Sequence, residues 1–174
     1  MGLYSKRTLD NGATIAIWEI TESEDDLRTL CSPIPNDELE ELEILRSEAR
    51  RKEKLAVRAL LNELYPEKVY LGHHDNGTPY IQNCADEISI SHTNRFVAIS
   101  THDEEDVGID IECVNRDFSA VEKKALSEEE IDDLSDKNHN LQLAIYWCAK
   151  EAIYKRMSQT RVDFAEQIEV EKFR

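Results

Sequence analysis

The stretch VGIDIEC, residues 107–113, alternates apolar side chains with a glycine and two carboxylates. This period of two predicts a β-strand. Side chains two residues apart on a strand share a face, so Asp110 and Glu112 are expected to project side by side, with Gly108 offering room. Two adjacent carboxylates repel each other, and burial raises the pKa of at least one. A hard cation removes the conflict, and oxygen ligands favour Mg²⁺ or Mn²⁺ over zinc. The same pattern also fits the solvent face of a half-exposed strand.

A second informative stretch is WCAKEAIYK, residues 147–155, within a helix predicted from Leu141 to Met157. Trp147, Glu151 and Lys155 are spaced by four and therefore lie along one helix face, with Lys150 beside them. An exposed Glu151–Lys155 pair would be worth only about 0.3–0.5 kcal/mol. However, the tryptophan indicates that this face meets protein, where both charges need partners. Glu151 is thus a candidate third oxygen ligand, and Lys155 a candidate anion contact.

The third stretch is SISHTNRFVAIS, residues 89–100, which predicts two strands joined tightly at Asn94. Ser91, His92 and Thr93 end the first strand at the turn. Small donors and an imidazole then lie at a sheet edge. A structural role fits such a histidine, and so does a phosphate contact beside the carboxylates and bases.

The remaining periodicity predicts an α+β fold with two similar halves, 1–101 and 102–174. Each half is expected to be a small antiparallel sheet packed with helices, and the second is expected to be shortened at its C-terminus. The segments that carry this prediction are a strand at 14–20, a helical pattern over 37–64, a hairpin around Asn76-Gly77 in 68–81, a short helix at 118–126, a second from Ser127 to about Leu134, and a strand at 167–173.

Composition excludes several classes of function. The 174 residues include 37 acids and 21 bases, a net charge of −16, which argues against binding nucleic acid or anionic membranes. Residues 46–58 nevertheless hold six bases, which favours a small anionic ligand. No apolar run is long enough for a membrane span, and the N-terminus lacks a secretory pattern, so we expect a cytoplasmic protein. The four cysteines show no CxxC spacing and are expected to be reduced and structural.

Taken in order over roughly residues 36–172, these segments resemble the 4′-phosphopantetheinyl transferase superfamily, especially its longer single-chain type with two pseudo-symmetric halves. VGIDIE and WCAKEAIYK, about 35 residues apart, match its two signatures. The stretch Arg58-Ala-Leu-Leu is similar to its arginine-containing helix, and ISISHTNRFVAIS to its Ser-His-Ser strand pair. NGTPYI is similar to its Gly-Lys-Pro hairpin, with Thr78 where the family often has lysine.

The resemblance implies an enzyme that moves phosphopantetheine from coenzyme A to a serine of an apo acyl or peptidyl carrier protein, releasing 3′,5′-ADP. Three carboxylates would then hold Mg²⁺ on the diphosphate, namely Asp110, Glu112 and Glu151. Catalysis would rest on Asp110, on Glu151 as the base, and on Lys155. The contacts to coenzyme A would come from Arg58, Ser91, His92, Lys150 and Lys155. The protein would act as a monomer or a weak dimer.

Three other interpretations remain open at this point. The first is a non-catalytic module of the same fold that binds coenzyme A or a nucleotide. The second is a metal-dependent phosphohydrolase, for which His73, His74 and Asp75 resemble a ligand cluster, although their place beside Asn76-Gly77 favours an ordinary loop. The third is an interaction protein with an acidic surface.

Overall fold

The computed structural model describes residues 2–157 and 161–173 and has an α+β fold, in which antiparallel sheets pack with helices. The predicted fold class is therefore confirmed. The strands are β1 (Leu3–Thr8), β2 (Thr14–Glu19), β3 (Leu71–His73), β4 (Pro79–Ile81), β5 (Glu87–His92) and β6 (Phe96–His102). The helices are α1 (Glu24–Leu30), α2 (Asn36–Ile44), α3 (Glu48–Leu64), α4 (Ser119–Ala125), α5 (Glu128–Asp132), α6 (His139–Met157) and α7 (Phe164–Gln167).

The larger sheet has the strand order β1-β2-β6-β5, and every neighbouring pair is antiparallel. Ala16 and Trp18 of β2 alternate inward and are buried, as the period of two predicts. Strand β1 was missed by the sequence analysis because it carries a mostly exposed run of polar side chains. Strands β3 and β4 form the predicted hairpin, with Gly77 at a φ of 86° in its turn.

Helix α3 forms the main layer over this sheet. Its buried face includes Leu55, Leu60 and Leu61, which join Trp18 and the inner residues of β6 in one core. The helical pattern over 37–64 is interrupted between α2 and α3. The hydroxyl of Ser47 accepts a hydrogen bond from the Arg50 amide, which starts α3 as a separate helix.

The second half has its own hydrophobic core, built from α4 and α6 around Phe118, Val121 and Leu143. The capping box predicted at Ser127 and Glu130 starts α5. The two halves with their boundary at residue 101 stay a prediction, and the sheet predicted for the second half is absent, since the described residues contain no strand after β6. Within the described residues, no helix has both the length and the apolar run needed to cross a bilayer.

The strands predicted at 107–112 and 167–173 are wrong, since neither segment pairs with another strand. In the first, backbone amides donate to side-chain hydroxyls instead of carbonyls. In the second, Gln167 ends the short helix α7, and the Val170 amide donates to the Glu130 carboxylate at 2.9 Å. Alternation alone does not distinguish a paired strand from an extended segment held by side chains.

Candidate active site

The segment 107–113 runs alongside the edge strand β5 and is held by two serines. The Ile109 amide donates to Ser89 Oγ at 3.1 Å, and the Ile111 amide donates to Ser91 Oγ at 3.3 Å. Because alternate β5 residues share a face, the two hydroxyls meet alternate amides of the segment. These contacts fix which way the side chain of Asp110, between the two isoleucines, must point.

Gly108 brings the same segment against the backbone of α6. A Cβ at this position would lie 2.8 Å from the carbonyl carbon of Ala152, closer still to its oxygen, and 3.0 Å from the amide nitrogen of Arg156. The position that a Gly108 side chain would take is therefore filled by helix backbone, and the glycine does not leave open room there. Only glycine permits this approach, which brings Asp110 within reach of Lys155 on α6.

Asp110 is the centre of the polar cluster that results. Its Oδ1 accepts hydrogen bonds from Ser91 Oγ at 2.9 Å and from Lys155 Nζ at 2.8 Å. Lys155 also donates to the carbonyl oxygen of Ile109 at 3.1 Å, and its side chain is 28% exposed. The second oxygen, Asp110 Oδ2, is buried without a hydrogen-bond partner among the described residues. A buried carboxylate oxygen in this state is costly unless a cation or donor occupies its side.

Glu151 lies in the field of the same cluster. Burial raises the pKa of its carboxyl, the charges of Asp110 and Glu112 raise it further, and Lys155 opposes them. The three predicted carboxylates are thus close enough for their charges to interact. Glu112, however, is paired with Arg116 at 2.5 Å. Sequence reasoning did not identify this arginine, although its spacing of four from Glu112 was visible.

The donor set suits a hard cation, but the side chains are not arranged as a finished metal centre. In residues 2–157 and 161–173, no three histidine, cysteine or acidic side chains converge closely enough to hold an ion. Asp110 Oδ2 is the oxygen most in need of one. With Glu151 it offers the carboxylate oxygens that Mg²⁺ prefers, while Arg116 holds Glu112 through one of its two oxygens. The predicted metal site therefore stays a prediction.

A groove of about 390 Å³ lies between segment 108–114 and α6, beside Asp110 and Glu112. Its floor is apolar and includes Ile145, Cys148 and Ala149. Burial, followed by the charge of Asp110, raises the pKa of the Cys148 thiol to about 12. A hydrogen bond to the Asp110 side chain contributes to the raised pKa, so the thiol is a neutral partner of that carboxylate rather than a nucleophile.

Arg58 and His92, predicted as coenzyme A contacts, line a separate cavity of about 330 Å³ in the first half. Arg58 is only 1% exposed; its Nε donates to Glu38 at 2.9 Å and its Nη1 to the Val69 carbonyl at 2.8 Å. His92 Nδ1 lies 3.4 Å from the Glu53 carboxylate. The hairpin contributes to the same cavity, but the carboxylates of Asp37, Glu38 and Glu41 also line it.

Two further candidates have partners that the sequence did not reveal. Ser91 contacts Asp110 and supports the carboxylate cluster rather than lining the cavity. Lys150 is completely buried and ion-paired with Glu130 at 2.6 Å. The possible cluster at His73, His74 and Asp75 does not assemble among the described residues, where His74 stacks on Tyr80 with 4.5 Å between ring centroids.

Comparison with known proteins finds a family match in the second half of the chain. Residues 106–173 match the family model described as the 4′-phosphopantetheinyl transferase superfamily, and the match spans both signature segments. The resemblance predicted from the sequence is thereby confirmed over these residues. A solved structure titled as a holo-(acyl-carrier-protein) synthase from Bacillus anthracis str. Ames in complex with CoA (3′,5′-ADP) is similar to this chain with 20% identity and a TM-score of 0.42. The similarity covers 51% of this chain and 91% of that one. No curated protein matches the chain.

Proposed function

We propose that the protein transfers the 4′-phosphopantetheine arm of coenzyme A to a serine hydroxyl of an apo acyl or peptidyl carrier protein and releases 3′,5′-ADP. The observation that carries the proposal is the buried, unpaired Oδ2 of Asp110, next to Lys155 and Glu151 in the segment that matches the superfamily. A cluster with excess negative charge and one cation suits a phosphate substrate that arrives with a metal ion.

Three carboxylates would hold Mg²⁺, or Mn²⁺ in its place, namely Asp110, Glu112 and Glu151. When bound, the ion would neutralise charge on the diphosphate. The ammonium of Lys155, partly exposed beside Asp110, is the protein group best placed to contact a phosphate oxygen.

Glu151 is our candidate for the group that accepts the serine proton. As the serine oxygen forms its bond to phosphorus, the bond from phosphorus to the oxygen of 3′,5′-ADP breaks. The proton of the hydroxyl passes to the Glu151 carboxylate, and the leaving electron pair stays on the nucleotide. General base catalysis of this kind is worth typically about 10²–10⁴-fold.

We also propose that the adenosine end of coenzyme A uses the cavity lined by Arg58 and His92. The cations of this cavity already have partners, since Arg58 pairs with Glu38 and Lys54 pairs with Glu41. An incoming 3′-phosphate would therefore have to replace a carboxylate of α2 rather than enter an open basic site. His92, whose side chain is 39% exposed, is the more accessible of the two predicted ligands.

The test is intact-mass spectrometry of a panel of apo carrier proteins incubated with the protein, coenzyme A and Mg²⁺. We expect a gain of about 340 Da, the arm in place of a hydroxyl proton, and no gain when the metal is chelated. Asp110→Ala and Glu151→Gln should abolish the gain yet fold normally, whereas Glu128→Gln on exposed helix surface should not affect it.

Other outcomes distinguish the alternatives. Coenzyme A binding without a gain on any carrier would favour the non-catalytic module. Release of 3′,5′-ADP without a carrier would favour a phosphohydrolase. Full transfer by folded Asp110→Ala would refute the assignment of the site.

A further inference from the structure

The most deeply buried ion pair among the described residues joins Lys150 of α6 to Glu130 of α5. Their side chains are 0% and 3% exposed, and Lys150 Nζ lies 2.6 Å from Glu130 Oε2. Lys150 immediately precedes Glu151, and the resemblance to the superfamily implies a phosphate contact for it. The structure gives its charge a different environment, closed to solvent.

The ammonium of Lys150 has no donor left for a phosphate. A lysine ammonium carries three N–H donors. One meets Glu130, and the others meet the carbonyl oxygens of Phe164 at 2.7 Å and Ile168 at 2.6 Å. The carboxylate of Glu130 and the carbonyl groups of Phe164 and Ile168 thus form a closed cage around the ammonium. A phosphate contact would require this cage to open.

Glu130 is equally occupied on its own side. Its Oε2 also accepts from the Ser127 amide at 2.9 Å, and its Oε1 accepts from the Val170 amide at 2.9 Å. The pair therefore connects three separate pieces of chain, which are the start of α5, the middle of α6 and the segment 164–170. Phe164 extends the connection, because its ring packs against Trp147 at 5.7 Å and Tyr154 at 5.4 Å between centroids.

These contacts restrict the orientation of the face of α6 that carries Glu151 and Lys155. Consecutive residues of an α-helix point about 100° apart, so the direction of Lys150 determines the directions of Glu151 and Lys155. Contacts from one side to segment 164–170 and from the other to segment 107–110 leave α6 little freedom to turn about its axis.

We propose that Lys150 and Glu130 are positioning residues that fix the rotation of α6 and so hold Glu151 and Lys155 against Asp110. Lys150 does not contact coenzyme A. The inference rests on the proposed function for its kinetic consequence, but not for its structural one. A buried ion pair is a weak source of stability compared with apolar residues, so its value here lies in setting geometry.

The first test compares three substitutions, Lys150→Met, Lys150→Arg and Glu130→Gln. A misplacement of about 1 Å costs on the order of 10²-fold in rate, so we expect transfer per folded molecule to fall by about that factor in each. Arginine should fail because its planar fork does not fit a closed cage built for an ammonium, whereas it would serve an open phosphate contact well. The double variant Lys150→Met/Glu130→Gln should be no slower than the slower single variant, because both changes break one unit.

The second test needs no turnover. Trp18 is 1% exposed and resists quenching, so a change in acrylamide quenching reports on Trp147. Loss of the cage should undock Phe164 and increase the quenching of Trp147 in all three variants. The matched control is the exposed pair Lys172–Asp133, which joins the same two regions at the surface. Lys172→Met should leave both quenching and transfer unchanged.

Two results would overturn the inference. One is full transfer with unchanged quenching in Glu130→Gln, which has the same size as the native side chain and is expected to fold. The other is a Lys150→Met variant with normal quenching and kcat but a tenfold higher KM for coenzyme A, as a phosphate ligand requires. If the native protein transfers nothing to any carrier, the proposed function fails, and quenching still decides the role of the cage.

Discussion

Substituting Gly108 by alanine tests the contact on which the candidate site depends. The added methyl carbon would start 2.8 Å from the carbonyl carbon of Ala152 and 3.0 Å from the amide nitrogen of Arg156. Carbon atoms in contact prefer about 3.5–4.0 Å, so segment 107–110 and α6 must separate by about 1 Å. Both neighbours are backbone atoms, and no side-chain rotation relieves the clash. Overpacking of this kind costs typically about 1–3 kcal/mol of stability.

The larger effect should be on transfer, because the separation moves Asp110 away from Glu151 and Lys155. A shift of about 1 Å costs on the order of 10²-fold in rate. We would measure the initial rate of mass gain on a responsive carrier, together with the fraction folded by urea unfolding. Adding Ala152→Gly to Gly108→Ala should not restore the rate, because the clash is with the carbonyl group of Ala152 and not with its methyl.

The matched control is Gly2→Ala. A Cβ there would also meet backbone, at Glu19, together with the ring of Trp18, but at the other end of the sheet. It should lower stability without slowing transfer per folded molecule. A folded Gly108→Ala protein with the native rate would refute the reasoning, since Asp110 would then not depend on this approach.

Two further predictions concern groups that the site contacts less directly. Ser91→Ala removes the hydrogen bond to Asp110 and should slow transfer. Ser89→Ala loses only the contact to the Ile109 amide, so it should cost about 1 kcal/mol of stability with a smaller change in the transfer rate. Equal transfer rates in the two variants would contradict this prediction. Burial raises the pKa of the Cys31 thiol to about 11, whereas a thiol in the unfolded chain has a pKa of about 8.5. The free energy of unfolding should therefore fall as pH rises from about 9 to 11. Urea unfolding at both pH values should show a smaller fall in Cys31→Ala, and identical falls would contradict it.

The local patterns of the first half could be predicted well from the sequence. Strands β2, β5 and β6 follow from alternation, the hairpin from Asn76-Gly77, and α3 from its apolar face. Strand β1 was missed because an edge strand with exposed polar side chains has no apolar period to detect. In the second half, alternation at 107–112 was misread as a paired strand. The partners of that segment are the hydroxyls of Ser89 and Ser91, and this pairing depends on tertiary contacts about 20 residues apart in the chain.

Gly108 was correctly expected to matter for the site, but for the wrong physical reason. Its place two residues before Asp110 was recognised, but was attributed to open space beside the carboxylates. At Gly108 itself the space is closed by α6, and the glycine is required because two backbones touch. The sequence shows segment 107–113 and helix α6, but it does not show how closely the two approach in the fold.

The predicted contacts to coenzyme A stay predictions, but the partners of the basic side chains distinguish them. The sequence shows that a residue is basic, but it does not show which group that residue pairs with. Arg58 and Lys150 are each almost completely enclosed, and each is neutralised by a glutamate from another helix, Glu38 or Glu130. Removing Lys150 from its cage to meet a phosphate would leave Glu130 buried and unpaired, and removing Arg58 would leave the partly exposed Glu38 without its partner. Lys155 also pairs with a carboxylate, but it is partly exposed, and a metal ion on Asp110 would release its ammonium without leaving an unpaired charge. We therefore expect Lys155 and the accessible His92 to meet phosphate groups of coenzyme A more readily than Arg58 and Lys150, whose charges already have carboxylate partners.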